Sequence, residues 1–95
     1  MIKIMTLNAN GLRSAVRRGF FEWVATKHID VICLQETKIQ NEQLWADMTL
    51  VLPGYHCFHV QAEKKGYSGV AIYSKQKPNQ IQQGLGFSSC DDEGR

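Results

Sequence analysis

Glu36 and Lys38 are the residues of this sequence whose types and position best suit chemistry on a phosphate. Both follow the apolar run at residues 31–34, at the point where a buried strand would reach water or a site. A carboxylate supplies the anionic oxygen that a hard divalent cation prefers, and an ammonium supplies a point charge for a phosphate. The pair therefore predicts a metal and phosphate site, and the alternative interpretation is an ordinary solvated strand end.

Two asparagines, Asn8 and Asn10, follow the first apolar segment in a similar way. Residues 1–8 alternate loosely between two faces, and residues 31–34 are too few for an independent helix, so both segments are typical of strands. We expect the second strand to be buried on both faces and to end at Glu36. Because open α/β sheets collect ligands at the carboxyl ends of their strands, the two asparagines and the glutamate are predicted to form one site.

An amphipathic helix is predicted between these strands, from Leu12 to about His28, because apolar residues recur there at helical spacing. Arg13, Arg17 and Arg18 fall elsewhere on its surface. Such a cluster is usually a solvated face, but at a helix start beside two asparagines it could also hold phosphates.

The second half of the sequence predicts a short helix followed by strands. The helix covers residues 41–48 with Asn41 as its candidate cap, and a turn follows at residues 53–54. Strands are predicted at residues 55–61, 69–74 and 79–84. The first two flank a short loop that contains a glycine, so we expect them to pair antiparallel.

His56, Cys57 and His59 invite a zinc interpretation, since imidazole and thiolate are good zinc ligands. In a strand, however, residues three apart point to opposite faces, so His56 and His59 cannot converge on one ion. The sequence also contains no glycine-rich phosphate loop and no nucleophile elbow. The group of Asn8, Asn10 and Glu36 is therefore the one candidate site.

Composition excludes few functions. Eleven Lys and Arg residues against nine Asp and Glu residues give a net charge of +2, which permits nucleic-acid binding without arguing for it. No apolar run reaches roughly 18 residues and no secretory leader is visible, so we expect neither a membrane span nor secretion. Three cysteines cannot all pair internally, which favours the reducing cytoplasm.

Residues 91–95 resemble a turn before another strand, so we expect a truncated domain.

Four motifs occur in one order along the chain: NANGLR at residues 8–13, LQETK at 34–38, GYSGVA at 66–71 and EGR at 93–95. Together they resemble the exonuclease III family of apurinic/apyrimidinic (AP) endonucleases. Ile29 departs from the family pattern, which more often has a small residue, Pro or Phe at this place. The departure is peripheral to the predicted chemistry.

The resemblance implies an α/β fold, of which this chain would be the N-terminal part: a four-layered α/β sandwich with two packed mixed β-sheets flanked by helices. It also implies a Mg²⁺ ion, with Mn²⁺ as the alternative, bound by Glu36 with Asn10 beside it. Asn8 would belong to the hydrogen-bonded catalytic group. The general base and the catalytic histidine of the family would lie beyond Arg95, so we expect residues 1–95 alone to be inactive.

The implied reaction is hydrolysis of a DNA phosphodiester by a positioned water, as part of DNA repair. The implied substrate is double-stranded DNA with abasic sites or 3′ ends, and the full-length protein is expected to be a monomer away from membranes. The residues that would contact or lie near DNA are Arg13, Arg17, Arg18, Lys38, Gly66 and Tyr67.

Two alternatives remain within the same fold. The catabolite-repression control regulators resemble exonuclease III but act without nuclease activity in RNA-associated translational repression. They commonly replace the glutamate and the lysine of the second motif and lose the Gly-Tyr of the third, whereas this chain keeps Glu36, Lys38, Gly66 and Tyr67. A phosphoesterase acting on lipids or inositol phosphates would keep an asparagine and a glutamate but not the details of the first and third motifs. The nuclease is therefore favoured.

Overall fold

A computed structural model describes residues 2–62 and 66–77 as a mixed sheet with short helices. The strands are β1 (Ile4–Asn8), β2 (Val31–Gln35), β3 (His56–Val60) and β4 (Val70–Ser74). The helices are α1 (Leu12–Arg17), α2 (Phe20–Ala25) and α3 (Asn41–Ala46), followed by a 3₁₀ turn at Met48–Leu50. The predicted strand at residues 79–84 and the motif at residues 93–95 lie outside the described residues.

The strands follow the order β1-β2-β4-β3 across the sheet. β1 and β2 are parallel, with Asn8 opposite Gln35, whereas β4 is antiparallel to both of its neighbours. The antiparallel pairing predicted for the two later strands is therefore confirmed. Because β1 and β2 run in the same direction, their carboxyl ends meet at one edge of the sheet, where the candidate site was predicted.

One face of the sheet forms the core with the helices. Ile32 and Leu34 of β2 are buried there, whereas the alternate residues of the strand are only half-buried. The prediction that β2 is buried on both faces is therefore wrong. Among the described residues the helices cover one face, and on the other face Ile4 is 70% exposed and Ile72 is 43% exposed. The core consists of the buried residues Leu12, Phe21, Val24, Ile29, Ile32, Leu34, Ile39, Leu44, Leu50, Leu52, Ala71 and Tyr73.

The helix predicted from Leu12 to His28 is two helices, so that prediction is wrong in its continuity. The first ends at Arg17, and the second begins at Phe20. Between them Gly19 has a φ angle of 93°, in the left-handed region that glycine adopts at little steric cost. The apolar spacing alone could not reveal this break, because both helices keep their apolar faces toward the same core.

Helix α3 begins at Asn41, as predicted, but Asn41 is not its cap. Gln40 occupies the capping position, and its backbone N–H donates to Oε1 of Gln43 at 3.0 Å. The helix ends at Ala46, two residues before the predicted end, and gives way to the 3₁₀ turn. Within residues 2–62 and 66–77, no helix has the length and apolar character that crossing a bilayer requires.

Candidate active site

Asn8, Asn10, Glu36 and Lys38 form a continuous hydrogen-bonded chain at the carboxyl ends of β1 and β2. Nδ2 of Asn8 donates to Oε2 of Glu36, and Oδ1 of Asn8 accepts from the backbone N–H of Asn10 at 3.0 Å. Nζ of Lys38 donates to Oδ1 of Asn10 at 2.6 Å. The structure thus brings together the carboxylate, the two amides and the ammonium that the sequence placed at two strand ends.

Backbone hydrogen bonds hold the two loops of the site side by side. The N–H of Ala9 donates to the carbonyl of Gln35 at 2.8 Å, and the N–H of Gly11 donates to the carbonyl of Glu36 at 2.8 Å. These bonds continue the parallel pairing of β1 and β2 past the ends of the strands. The side chains of the site are therefore positioned by main-chain geometry as well as by their own contacts.

Three residues of the site have left-handed backbone conformations. The φ angles are 46° for Asn10, 51° for Glu36 and 54° for Lys38. Asparagine tolerates this region, whereas glutamate and lysine carry a steric penalty of roughly 1–2 kcal/mol each. The surrounding structure must therefore hold the Glu36–Lys38 turn in place, and such held conformations cluster at functional sites.

Gly66 and Tyr67 lie across a cleft from Glu36 and Lys38. The cleft has a volume of about 630 Å³, and its lining residues are Gln35, Glu36, Lys38, Gly66, Tyr67, Ser68 and Val70. Tyr67 is 38% exposed on this surface. Gly66 and Tyr67, which were predicted to contact or lie near DNA, therefore border the same cleft as the candidate metal and phosphate residues.

The three arginines separate into two groups, although all of them are exposed. Arg13 and Arg17 line a groove of about 480 Å³ that also contains Lys38 and Gly66. Arg18 lies instead in a different groove, near Asn10 and Trp23. The structure therefore brings two of the three predicted DNA-binding arginines to the groove that borders the site, and it places the third, at the end of α1, in a different groove.

The groove of Arg13 and Arg17 also contains a carboxylate, Asp47, that the sequence did not single out. The hydroxyl and the backbone N–H of Thr49 donate to Asp47 and lower its pKa, and Arg13 adds a smaller effect in the same direction. Asp47 is therefore ionised at neutral pH. Its negative charge partly offsets the positive charge of Arg13, Arg17 and Lys38 in the same groove.

The sequence also missed a buried hydrogen-bonded group directly behind the site. Nε2 of His59 lies 2.8 Å from Oγ1 of Thr37, and Nδ1 of His59 lies 2.5 Å from Oδ1 of Asn41. Burial lowers the pKa of His59, which favours the neutral imidazole at physiological pH. His56 is exposed on the opposite face of β3, as the strand geometry predicted. No local pattern could have indicated the pairing, because 22 residues separate His59 from Thr37.

The donor atoms of the site fit a hard divalent cation better than zinc. The described residues contain no cluster of three or more His, Cys, Asp or Glu side chains, so the four nitrogen or sulfur ligands typical of structural zinc are not assembled there. Mg²⁺ accepts one or two carboxylates and keeps several waters. Glu36 engages Asn8 through Oε2, and its second carboxylate oxygen gives the site the anionic ligand that such an ion requires.

Comparison with known proteins then identifies the family. The model of the endonuclease/exonuclease/phosphatase family matches residues 5–95. The chain belongs to this family. The family match spans the first three motifs and the segment beyond the described residues, so it covers both halves of the candidate site.

Relatives within the family confirm the resemblance to AP endonucleases. The chain is 43% identical over 95 residues to an exodeoxyribonuclease of Bacillus subtilis, covering 99% of this chain and 36% of that protein. It is 38% identical over 94 residues to a DNA-(apurinic or apyrimidinic site) endonuclease of Dictyostelium discoideum, covering 99% of this chain and 26% of that protein. The chain therefore spans about a third of the length of these relatives or less.

A solved AP endonuclease structure from Archaeoglobus fulgidus resembles the whole chain. Its TM-score is 0.79 at 32% identity, with 100% of this chain and 35% of that chain covered. This similarity confirms the predicted fold class, since such neighbours have the α/β sandwich fold and the chain supplies a mixed sheet with helices on one face.

Proposed function

We propose that the full-length protein is a metal-dependent DNA repair nuclease that hydrolyses phosphodiester bonds at abasic sites or 3′ ends of double-stranded DNA. The observation that carries this proposal is the hydrogen-bonded chain of Asn8, Glu36, Asn10 and Lys38 at the edge of an open cleft. The names of the relatives, an exodeoxyribonuclease and an AP endonuclease, support the same reaction class.

Glu36 is the residue that would bind the cation, with Asn10 beside it. Mg²⁺, or Mn²⁺ in its place, stabilises negative charge on the phosphate and the leaving oxygen when it is bound. Asn8 holds one oxygen of the Glu36 carboxylate and thereby fixes the direction of the other. The amide of Asn8 would thus orient the carboxylate of Glu36, and that carboxylate would supply the negative charge that binds the cation.

Lys38 would supply the positive charge that faces the phosphate. Its ammonium donates to Oδ1 of Asn10, which connects it to the Glu36 carboxylate through Asn10 and Asn8. An ammonium has three donors, so Lys38 can keep this bond and still donate to a phosphate oxygen. Lys38 would therefore offset the negative charge of the substrate phosphate whether or not the metal is bound.

The groove of Arg13 and Arg17 gives the DNA backbone a path that leads to the site. Both guanidiniums are exposed, and the groove meets the cleft at Lys38 and Gly66. A duplex lying along this groove would bring its phosphates past Arg13 toward Glu36. We propose that the full-length protein works as a cytoplasmic monomer on this substrate.

The direct test is cleavage of a duplex with one abasic site by the purified full-length protein. We expect cleavage with Mg²⁺, none with a chelator, and slower cleavage of the matched undamaged duplex. Failure to cut either duplex at any Mg²⁺ or Mn²⁺ concentration would contradict the proposal. Tight RNA binding together with that failure would favour the regulator of the same fold.

Arg13→Ala in the full-length protein is expected to weaken binding to all duplex sequences and to make binding less dependent on salt. A phosphate contact releases counterions without reading bases, so the slope of log affinity against log salt should decrease by roughly one unit. Affinity measured at a series of salt concentrations gives this slope.

Lys27→Ala is the matched control for Arg13→Ala. It also removes one exposed cation, but the ammonium of Lys27 lies over the ring of Trp23, outside the groove. The slope should stay at its wild-type value in this variant. An unchanged slope in Arg13→Ala, or an equal change in both variants, would show that Arg13 contacts no phosphate.

A further inference from the structure

We propose that Thr37 and His59 are a positioning pair that holds Glu36 and Lys38 in their left-handed conformations, with Asn41 orienting the imidazole ring. This inference deepens the proposed function and rests on it for the roles of Glu36 and Lys38. Neither member of the pair lines the cleft of Glu36 and Lys38, and both are buried, although Thr37 borders the groove of Arg13 and Arg17. We expect both to act on the reaction through the residues that they hold.

Thr37 occupies the centre of the strained turn. The φ angles on either side of it are 51° at Glu36 and 54° at Lys38, and its own side chain is 1% exposed. The neighbouring side chains lie in the cleft, whereas the Thr37 side chain lies in the interior. Any rotation of the Thr37 backbone would therefore move the carboxylate and the ammonium together.

The direction of the hydrogen bonds follows from the acceptor at Asn41. Oδ1 of Asn41 can only accept, so Nδ1 of His59 carries the proton that donates to it. Nε2 of the neutral imidazole is then an acceptor, and the hydroxyl of Thr37 donates to it at 2.8 Å. Burial of His59 disfavours the charged ring and so preserves this arrangement.

The main chain of Thr37 is held as firmly as its side chain. Its N–H donates to the carbonyl of Gly69 at 3.1 Å, and its carbonyl accepts from the N–H of Leu12 at 2.9 Å. The hydroxyl also fills the space beside Gly69, where an added Cβ would lie 2.4 Å from Oγ1 of Thr37. These contacts hold Thr37 in one orientation. Its main chain makes the bonds to Gly69 and Leu12, and its hydroxyl makes the bond to His59.

Thr37→Val in the full-length protein tests the pair, because it keeps the shape of the side chain and removes the hydroxyl. The first measurement is hydrogen exchange at the amide of Lys38, which donates to the carbonyl of Ser68 at 2.7 Å. We expect exchange about tenfold faster than in the wild type, since loss of a buried hydrogen bond loosens the turn by about that factor. The second is the affinity for Mn²⁺, which should fall by about the same factor.

Tyr73→Phe is the matched control, and Thr37→Ser is the rescue. The hydroxyl of Tyr73 is also buried and donates to the carbonyl of Leu50 at 3.0 Å, away from the turn. Tyr73→Phe should lower global stability to a similar extent but leave exchange at Lys38 and Mn²⁺ affinity unchanged. Thr37→Ser keeps the hydroxyl and should restore both values to within about twofold of wild type.

Equal exchange at Lys38 in Thr37→Val and Tyr73→Phe would overturn the positioning role. If Thr37→Val does not fold, Asn41→Ala replaces it, since Asn41 is only half-buried and its loss frees the His59 ring. Exchange needs neither metal nor DNA, so it decides the positioning role by itself. A wild-type protein that binds no Mn²⁺ and cuts no DNA would instead refute the proposed function.

Discussion

Glu36→Gln in the full-length protein is expected to remove almost all cleavage of an abasic duplex while leaving most of the affinity for that duplex. The change keeps the size of the side chain and one oxygen but removes the anionic ligand. Metal stabilisation of a phosphoryl transition state contributes several kcal/mol, so turnover should fall by about two to four orders of magnitude. DNA affinity should fall far less, because the cations of Arg13, Arg17 and Lys38 remain.

The measurement pairs the cleavage rate across a Mg²⁺ titration with duplex affinity in a chelator. Glu22→Gln is the matched control, because Glu22 is an exposed glutamate in the first turn of α2, outside the cleft. It should leave both values unchanged. Cleavage by Glu36→Gln near the wild-type rate would show that Glu36 is only a polar strand end.

Gly69→Ala is expected to lower the stability of the fold strongly, although it adds only one methyl group beside the site. Gly69 has a φ angle of 92°, where an alanine carries a strain of roughly 1–2 kcal/mol. The new Cβ would also lie 2.4 Å from Oγ1 of Thr37, and such overpacking adds about 1–3 kcal/mol. Together the two effects should lower the free energy of unfolding by about 2–5 kcal/mol.

Gly54→Ala separates the strain from the clash. Gly54 has a φ angle of 85°, but nothing lies within 4 Å of an added Cβ. This control should therefore show only the strain, about 1–2 kcal/mol. Denaturant unfolding of both full-length variants gives the comparison. An equal loss of stability in the two would mean that Gly69 has no close contact with Thr37.

Much of the site could be predicted from the sequence because its positions depend on local patterns. The apolar runs before Asn8 and before Glu36 indicate two strands, and parallel strands must bring their carboxyl ends to one edge. The juxtaposition of an amide and a carboxylate follows from those two facts. The sequence motifs further predicted that Gly66 and Tyr67 serve the same site as this edge of the sheet. Neither strand alone predicts that connection.

Other features depend on contacts between distant parts of the chain and left no local signal. The left-handed turn at Glu36 and Lys38 is held by backbone bonds to the segment before β4. The buried His59 is hydrogen-bonded to Thr37, 22 residues away. The helix break at Gly19 is the opposite case, since a glycine was visible there but the apolar spacing continued across it.

The separation of Arg18 from Arg13 and Arg17 follows from helical geometry and does not need the helix break. Residues four apart, such as Arg13 and Arg17, share one face of a helix, whereas Arg18 lies roughly 140° around the axis from Arg13. Arg18 accordingly lines the groove beside Asn10 and Trp23. The sequence analysis grouped the three arginines because they are close in sequence, at a helix start beside two asparagines.

Direct titration with Mn²⁺, followed by electron paramagnetic resonance, tests the central claim that Glu36 holds a divalent cation beside Asn10. The wild-type full-length protein should bind Mn²⁺ at a saturable site, with Mg²⁺ competing for it. Glu36→Gln should bind at least about 100-fold more weakly, while Glu22→Gln should match the wild type. Equal Mn²⁺ affinity in wild type and Glu36→Gln would contradict the assignment of the metal to this edge of the sheet.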